Sequence, residues 1–263
     1  MRTTLMALAL CAAAMPASAQ FTTTYTGKQW ANDKEYPATA VFAVENGRIA
    51  MLMTGAKHVR MLFDQKAQIL RIVDEDSKQY IDLTKDFRAN MDPTGQLAQM
   101  QKQMEAMPKE QRAMAEAMMK QAMAGMSQSQ NQLVYNWTTD KLKISGYDCT
   151  RVEGMRGDEK VTEYCGSTSD DFKLKDNERQ TVLDMQGYLR NFVITVKSDD
   201  QSVRAFAWDT KTDGYPVLTR CFANGKMTLD LTLATVTRKG PSDDQFKVDG
   251  FKKMDMPKMP GGR

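Results

Sequence analysis

The sequence predicts an α+β protein: an antiparallel β-sheet with a helical hairpin inserted between strands and a second helix nearer the C-terminus. Three observations predict it. Short alternating apolar runs follow one another at turn-sized intervals, which argues for a meander rather than βαβ units. From Thr94 to Met126 no β-branched residue follows Thr94, and Ala, Gln, Glu, Lys and Met dominate, a composition of high helix propensity. Between Asn177 and Val196, residues Val182, Met185, Leu189 and Phe192 fall on one side of a helix.

The chain opens with Arg2, an uncharged apolar run from Leu5 to Met15, and Ala17-Ser18-Ala19. This is the pattern of a cleavable secretory signal peptide, with cleavage after Ala19, and the run is too short to span a bilayer. Cys11 follows Leu10 rather than the small residue a lipobox wants. The reading is a signal peptide over 1–19, one β-rich domain over 20–251 with its helical insert at 94–126, and a flexible tail over 252–263. The expected location is the periplasm.

Strands are expected at Phe21–Thr26, Ala38–Val44, Ile49–Met53, Val59–Phe63, Ile69–Val73 and Lys78–Leu83. Asn46-Gly47 is the strongest two-residue hairpin signal among their connections. In the insert, Leu97, Met100, Met104, Met107, Met114 and Met118 recur at steps of three, four and seven. Pro108 breaks that face, and a new helix start near it makes the insert a hairpin. Strands then resume at Leu133–Trp137, Leu142–Ile144, Asp148–Glu153 and Glu159–Tyr164. After the second helix, Val217–Phe222 and Met227–Val236 form a hairpin about Asn224-Gly225. The tail from Lys252 is rich in Pro, Met and Lys and is expected to be poorly ordered.

Composition narrows the function classes. The chain has 36 Lys and Arg against 33 Asp and Glu, net +3. Losing Arg2 with the leader leaves +2. The charges are interspersed, so there is no electrostatic footprint for a nucleic-acid partner. No later stretch reaches the ~20 apolar residues of a transmembrane segment. The single histidine, His58, lies in Lys57-His58-Val59-Arg60 without Cys or acidic neighbours at ligand spacing, and reads as a surface or structural residue. The carboxylates of Asp74-Glu75-Asp76 and Asp170-Asp171 read as turn residues. There is no G-x-S-x-G, phosphate loop or dinucleotide fingerprint. No cofactor is expected, and the chain reads as non-enzymatic.

Methionine is the outstanding bias, with 21 in the chain. Met100, Met104, Met107, Met114 and Met118 form an apolar face of flexible, polarizable side chains, which packs on the sheet or meets a hydrophobic ligand or protein partner. Met254, Met256 and Met259 are spaced as soft thioether ligands for Cu(I). They make a copper-binding or copper-responsive protein the alternative reading.

Several segments together resemble an exported bacterial family of unknown function related to the half-barrel fold of periplasmic lipoprotein carriers. They are Leu62-Phe63-Asp64 through Lys78-Gln79-Tyr80; Ile144-Ser145-Gly146-Tyr147-Asp148-Cys149 followed by Tyr164-Cys165; Gly214-Tyr215-Pro216-Val217; and Phe246-Lys247-Val248-Asp249-Gly250-Phe251. Met107-Pro108 through Gln111-Arg112 is similar to the family's helical insert. The resemblance implies a curved antiparallel sheet, a half-barrel like that of the lipoprotein carriers, with helices in its concave face. It implies no catalytic residue. The resulting expectation is a periplasmic binding module for a hydrophobic ligand, lipid or protein segment.

After leader cleavage Cys149, Cys165 and Cys221 remain. An oxidising compartment favours one disulfide. Cys149 and Cys165 are symmetric about Gly157, so a hairpin centred on that residue sets them opposite each other, at the separation a disulfide needs after slight adjustment. Cys221 would keep its thiol. Its own predicted strand leaves it open as an alternative partner, since spacing alone does not fix connectivity.

Overall fold

The computed structural model describes residues 20–84, 112, 133–195, 201–209 and 215–254. Six strands come first: β1 (Gln20–Ala31), β2 (Lys34–Glu45), β3 (Arg48–Thr54), β4 (Val59–Asp64), β5 (Ile69–Asp74) and β6 (Gln79–Thr84). β7 (Leu133–Ile144), β8 (Tyr147–Arg156) and β9 (Glu159–Ser167) follow. Helices α1 (Asp176–Thr195) and α2 (Gln201–Phe206) separate β9 from β10 (Tyr215–Ala223) and β11 (Lys226–Thr237). A 3-10 turn at Asp243–Phe246 leads to β12 (Lys252–Lys253).

All twelve strands lie in one open sheet of order β12-β6-β5-β4-β3-β2-β1-β11-β10-β9-β8-β7. Every pairing is antiparallel except β12 with β6. The sheet is thus two meanders joined where β1 meets β11. Residues 94–126, read as a Met-rich helical hairpin, lie outside the described residues except for Arg112, which is helical. Thr84 ends β6, next to one edge of the sheet, and Leu133 begins β7, at the other edge. Among the described residues no helix is long and apolar enough to cross a membrane.

Tight turns set the register. Asn46-Gly47 and Asn224-Gly225 both have positive φ at the two turn residues, the type I′ geometry that matches strand twist. Asn32-Asp33 adopts it too, with φ of 50° and 58°, so β1 and β2 form a long hairpin that extends past the expected strands. Leu133–Ile144 is one strand rather than two, because an irregularity between Trp137 and Lys141 interrupts the alternation without ending the pairing to β8.

Register carries the apolar pattern across the sheet. Residues opposite one another share a face, and the pairs Phe42↔Met51, Met51↔Met61, Met61↔Ile72 and Ile72↔Ile81 form one row. The row beside it is Val44, Ile49, Phe63, Leu70 and Leu83. The same face continues through Tyr25, Leu229, Leu231, Leu233, Tyr164 and Val152 to Tyr135 and Trp137. Val182, Met185, Tyr188 and Leu189 of α1, with Phe206 and Trp208, pack into this same core, which makes it the inner face.

The outer face is ionic. Asp230, Arg220 and Glu163 stand opposite one another on β11, β10 and β9. Arg220 hydrogen-bonds Glu163 and forms an ion pair with Asp230 at 3.4 Å, and Lys160 joins Glu163 to Glu153 of β8. Burial would raise the Glu163 carboxyl, but the bonds from Lys160 and Arg220 outweigh it and hold it below the usual range. Across β3–β6 the outer face instead carries a small apolar cluster of Ala50, Leu62 and Val73. The C-terminal strap lays Phe246, Val248 and Phe251 on it. Arg48 sits over the Phe246 ring at 4.5 Å and Lys78 over Phe251 at 4.7 Å, contacts that favour the cation on the ring face.

The strap ends as β12, so Lys252 and Lys253 belong to the sheet rather than to the disordered tail expected from Lys252. Lys252 N–H donates to the carbonyl of Lys78 (2.9 Å) and Met254 N–H to that of Tyr80 (2.8 Å). Composition concealed this strand because backbone bonds and one ion pair make it, not apolar side chains.

Cys149 and Cys165 form a disulfide with Cα atoms 5.4 Å apart. Cys221 is buried outside it. The pairing is as expected, but the register differs: the turn is the two-residue Gly157-Asp158, and a bulge at Gly154/Met155 sets Arg151, not Cys149, opposite Cys165. The cysteines are diagonal neighbours, still within reach on one face. Closing a loop of 16 residues stabilises the fold by roughly 3 kcal/mol in the chain-entropy account.

Asp82 anchors β12. Burial pushes its carboxyl up, yet hydrogen bonds from Arg71 (2.6 Å) and Lys253 (3.0 Å) win and hold it below the usual carboxylate range. A depressed carboxylate stabilises the fold above its unfolded pKa of about 3.9 and loses that contribution as pH falls through the folded value. Acidification below about pH 4 should therefore release the strap, seen as a lower protection factor at the Met254 amide. Asp82→Asn should show the lowered protection already at pH 7. Equal protection of that amide at pH 7 and pH 3 would contradict the anchoring role.

Candidate functional site

The inner face offers the chemistry most suited to binding. Met51, Met53, Met61 and Met185 are at most 1% exposed and line its β3–β4 side. These were not the methionines singled out from the sequence. Met100, Met104, Met107, Met114 and Met118 lie outside the described residues, as do Met256 and Met259. Met254 is 40% exposed at the end of the strap. Among the described residues no three His, Cys, Asp or Glu side chains converge as a metal site.

Next to the methionines lies an aromatic cluster. Tyr215 meets Phe21, Phe42, Phe172 and Trp208 at centroid distances of 5.3–5.8 Å, and Tyr147 stacks on Phe172 at 4.7 Å. Arg238 fixes this corner: it bonds the buried Glu178 of α1 and the carbonyls of Phe172 and Lys173. Such rings pack favourably in tilted and edge-on arrangements.

The third part was not legible in the sequence. Ala205 to Asp209 run buried along the inner face, and side chains hold the backbone there. Gln186 of α1 donates through Nε2 to the Phe206 carbonyl (2.8 Å) and accepts through Oε1 from Trp208 N–H (3.2 Å). Tyr135 Oη donates to the Ala207 carbonyl at 2.6 Å. Asp209 N–H donates to Tyr164 Oη at 3.0 Å, and Trp137 Nε1 donates to the Asp209 carboxylate at 3.1 Å. The five side-chain groups come from β7, β9 and α1, so no local motif signals them. Gly154 makes room for the clamp: a Cβ there would lie 2.2 Å from Thr162 Cγ2 and 3.2 Å from the Tyr135 ring.

Among the described residues, the space beside Phe206 and Trp208 is small. Tyr25, Phe42, Phe206, Trp208, Pro216 and Leu231 are among the residues around a cavity of about 10 Å³, room for one water at most. Burial pushes the hydroxyls of Tyr25, Tyr164 and Tyr215 upward, so they stay protonated and able to donate.

His58 lies on the β3–β4 connection. Its ring Nδ1 is 2.9 Å from Asp76 Oδ1. The β4–β5 strand pair brings in the acidic neighbour that sequence spacing concealed. Both side chains are about half exposed, and Asp74 Oδ1 accepts from the Asp76 and Ser77 amides as a turn residue.

No family model and no curated protein matches this chain. Among solved structures, an uncharacterized conserved protein from Thermus thermophilus superposes over 90% of each chain with a TM-score of 0.40 and 7% sequence identity.

The clamp and the aromatic cluster separate cleanly by mutation. Tyr215 Oη is buried with no hydrogen-bond partner among the described residues, so Tyr215→Phe should be neutral or stabilising by up to about 1 kcal/mol. Tyr164→Phe removes the acceptor for the Asp209 amide and should destabilise by about 1–3 kcal/mol. Urea denaturation measures both, and a Tyr215→Phe loss as large as that of Tyr164→Phe would contradict the assignment.

Proposed function

We propose that this chain is an exported, non-enzymatic binding module of the periplasm, in which the inner face of a half-barrel receives a hydrophobic ligand, a lipid or a segment of another protein. The observation that carries the reading is the inner face itself. It is apolar from β6 to β7 and is closed by two helices and a clamped segment rather than by a second sheet. A helix and a short segment move more readily than a sheet held by a backbone ladder.

The leader pattern over 1–19 and the Cys149–Cys165 disulfide both suit an oxidising compartment outside the cytoplasm. The buried methionines suit varied apolar shapes, since thioether side chains repack at little cost. With only about 10 Å³ free around Phe206 and Trp208, a ligand at that point displaces part of the helical layer.

Native mass spectrometry of the protein released from the periplasm tests the reading. The mature chain should begin at Gln20 and carry a hydrophobic adduct that organic solvent removes. A chain that retains residues 1–19, or an adduct-free chain that also fails to take up fatty acid, phospholipid and apolar peptide, would overturn it.

A further inference from the structure

We infer that the clamp of Gln186, Tyr135, Tyr164 and Trp137 is a receptor for a polypeptide segment held through its backbone, and that its partner is a segment with the pattern aromatic–small–aromatic–acidic. This rests on the binding-module reading and names the ligand class for that face.

The contacts carry the inference. From the Phe206 carbonyl to the Asp209 amide, four of the six backbone groups are each met by a side chain, and a fifth, the Ala207 N–H, donates to the Arg204 carbonyl. Gln186 uses its carboxamide as a peptide group would, donating to residue 206 and accepting from residue 208. That is how one residue bridges two positions of the neighbouring chain in a parallel β-ladder, reproduced by one side chain. The clamp therefore reads a main chain. A hydrocarbon tail offers no carbonyl or N–H, so a lipid tail in this position would leave buried donors and acceptors unmatched, which is costly.

The side chains on the held segment define the rest of the pattern. Trp208 packs against Phe42 and Tyr215, with ring centroids 6.0 and 5.5 Å apart. Phe206 lines the small cavity beside Tyr25 and Leu231. Ala207 between them is buried and small. The Asp209 carboxylate accepts from Trp137 Nε1, which sets an acidic residue at the fourth position. The chain's own Phe206–Asp209 is thus the occupant already in place, and a partner segment competes with it at the high effective concentration of a tethered ligand.

The test uses the mature chain and a fluorescein-labelled, capped peptide with the sequence of residues 204–209, read by anisotropy. Wild-type protein should bind it weakly. Phe206→Ala/Trp208→Ala should bind it at least tenfold more tightly, because the tethered occupant is weakened. Trp208→Ala alone, which keeps Phe206 in the core, should move the same way by a smaller factor. Adding Gln186→Ala to either variant should reverse most of the gain, and a peptide with Asn in place of its Asp should bind several-fold more weakly. Unlabelled palmitate should not displace the peptide. A scrambled peptide that binds equally well, or a gain insensitive to Gln186→Ala, would overturn the inference. Palmitate binding without peptide binding would overturn it while leaving the hydrophobic-ligand reading intact. Binding of neither would overturn both.

Discussion

The antiparallel pairing of β1 with β11 is the constraint on which the sheet depends. It runs from Thr22↔Thr237 to Gln29↔Leu229 and is where the N-terminal meander meets the C-terminal one. Contacts of such long sequence separation form late and at high loop-closure cost. The seam is also a place of distortion, with a register shift at Thr24/Tyr25 and a glycine at position 27. A Cβ on Gly27 would lie 1.8 Å from the Asp230 carbonyl oxygen, so only glycine permits the close approach of the two backbones. Bulges and glycines of this kind bend a sheet. At the far end the β7–β8 turn reaches back, and Ser145 Oγ donates to the Leu233 carbonyl at 2.6 Å.

One consequence of that continuous register is a single apolar surface too wide to leave in water. The chain covers it with α1, α2 and the Ala205–Asp209 segment, all inserted between the adjacent strands β9 and β10. The outer face has less to hide. Ion pairs run across β8 to β11 there, and the strap covers the small cluster on β3–β6. The strap also occupies part of the β6 edge through β12, which limits edge-to-edge association. The two coverings differ in kind: cations over rings and a short parallel strand outside, a hydrogen-bonded clamp inside.

Much of this was legible from residues alone. Alternation and the Asn-Gly turns located the strands, and helical spacing located α1, observed at Asp176–Thr195 against an expected Asn177–Val196. What was missed has physical causes. Asn32-Asp33 forms a type I′ turn without glycine, so the first hairpin lacked its usual signal. Thr138–Asp140 interrupts β7 without ending it. The cysteines pair diagonally because a bulge, invisible in composition, shifts the register. The clamp joins residues 20 to 72 positions apart, such as Gln186 with Phe206 and Tyr135 with Ala207, and no local pattern announces such contacts. His58 likewise gained Asp76 only through the pairing of β4 with β5.

The central claim is that a displaceable segment, held through its backbone, closes a ligand-binding inner face. Hydrogen exchange at the Trp208 and Asp209 amides tests it most directly, because these groups donate to Gln186 Oε1 and Tyr164 Oη. Both should be protected in the ligand-free protein, and both should exchange at least tenfold faster once a ligand occupies the inner face. Unchanged protection at these two amides in a demonstrably ligand-loaded protein would contradict the account.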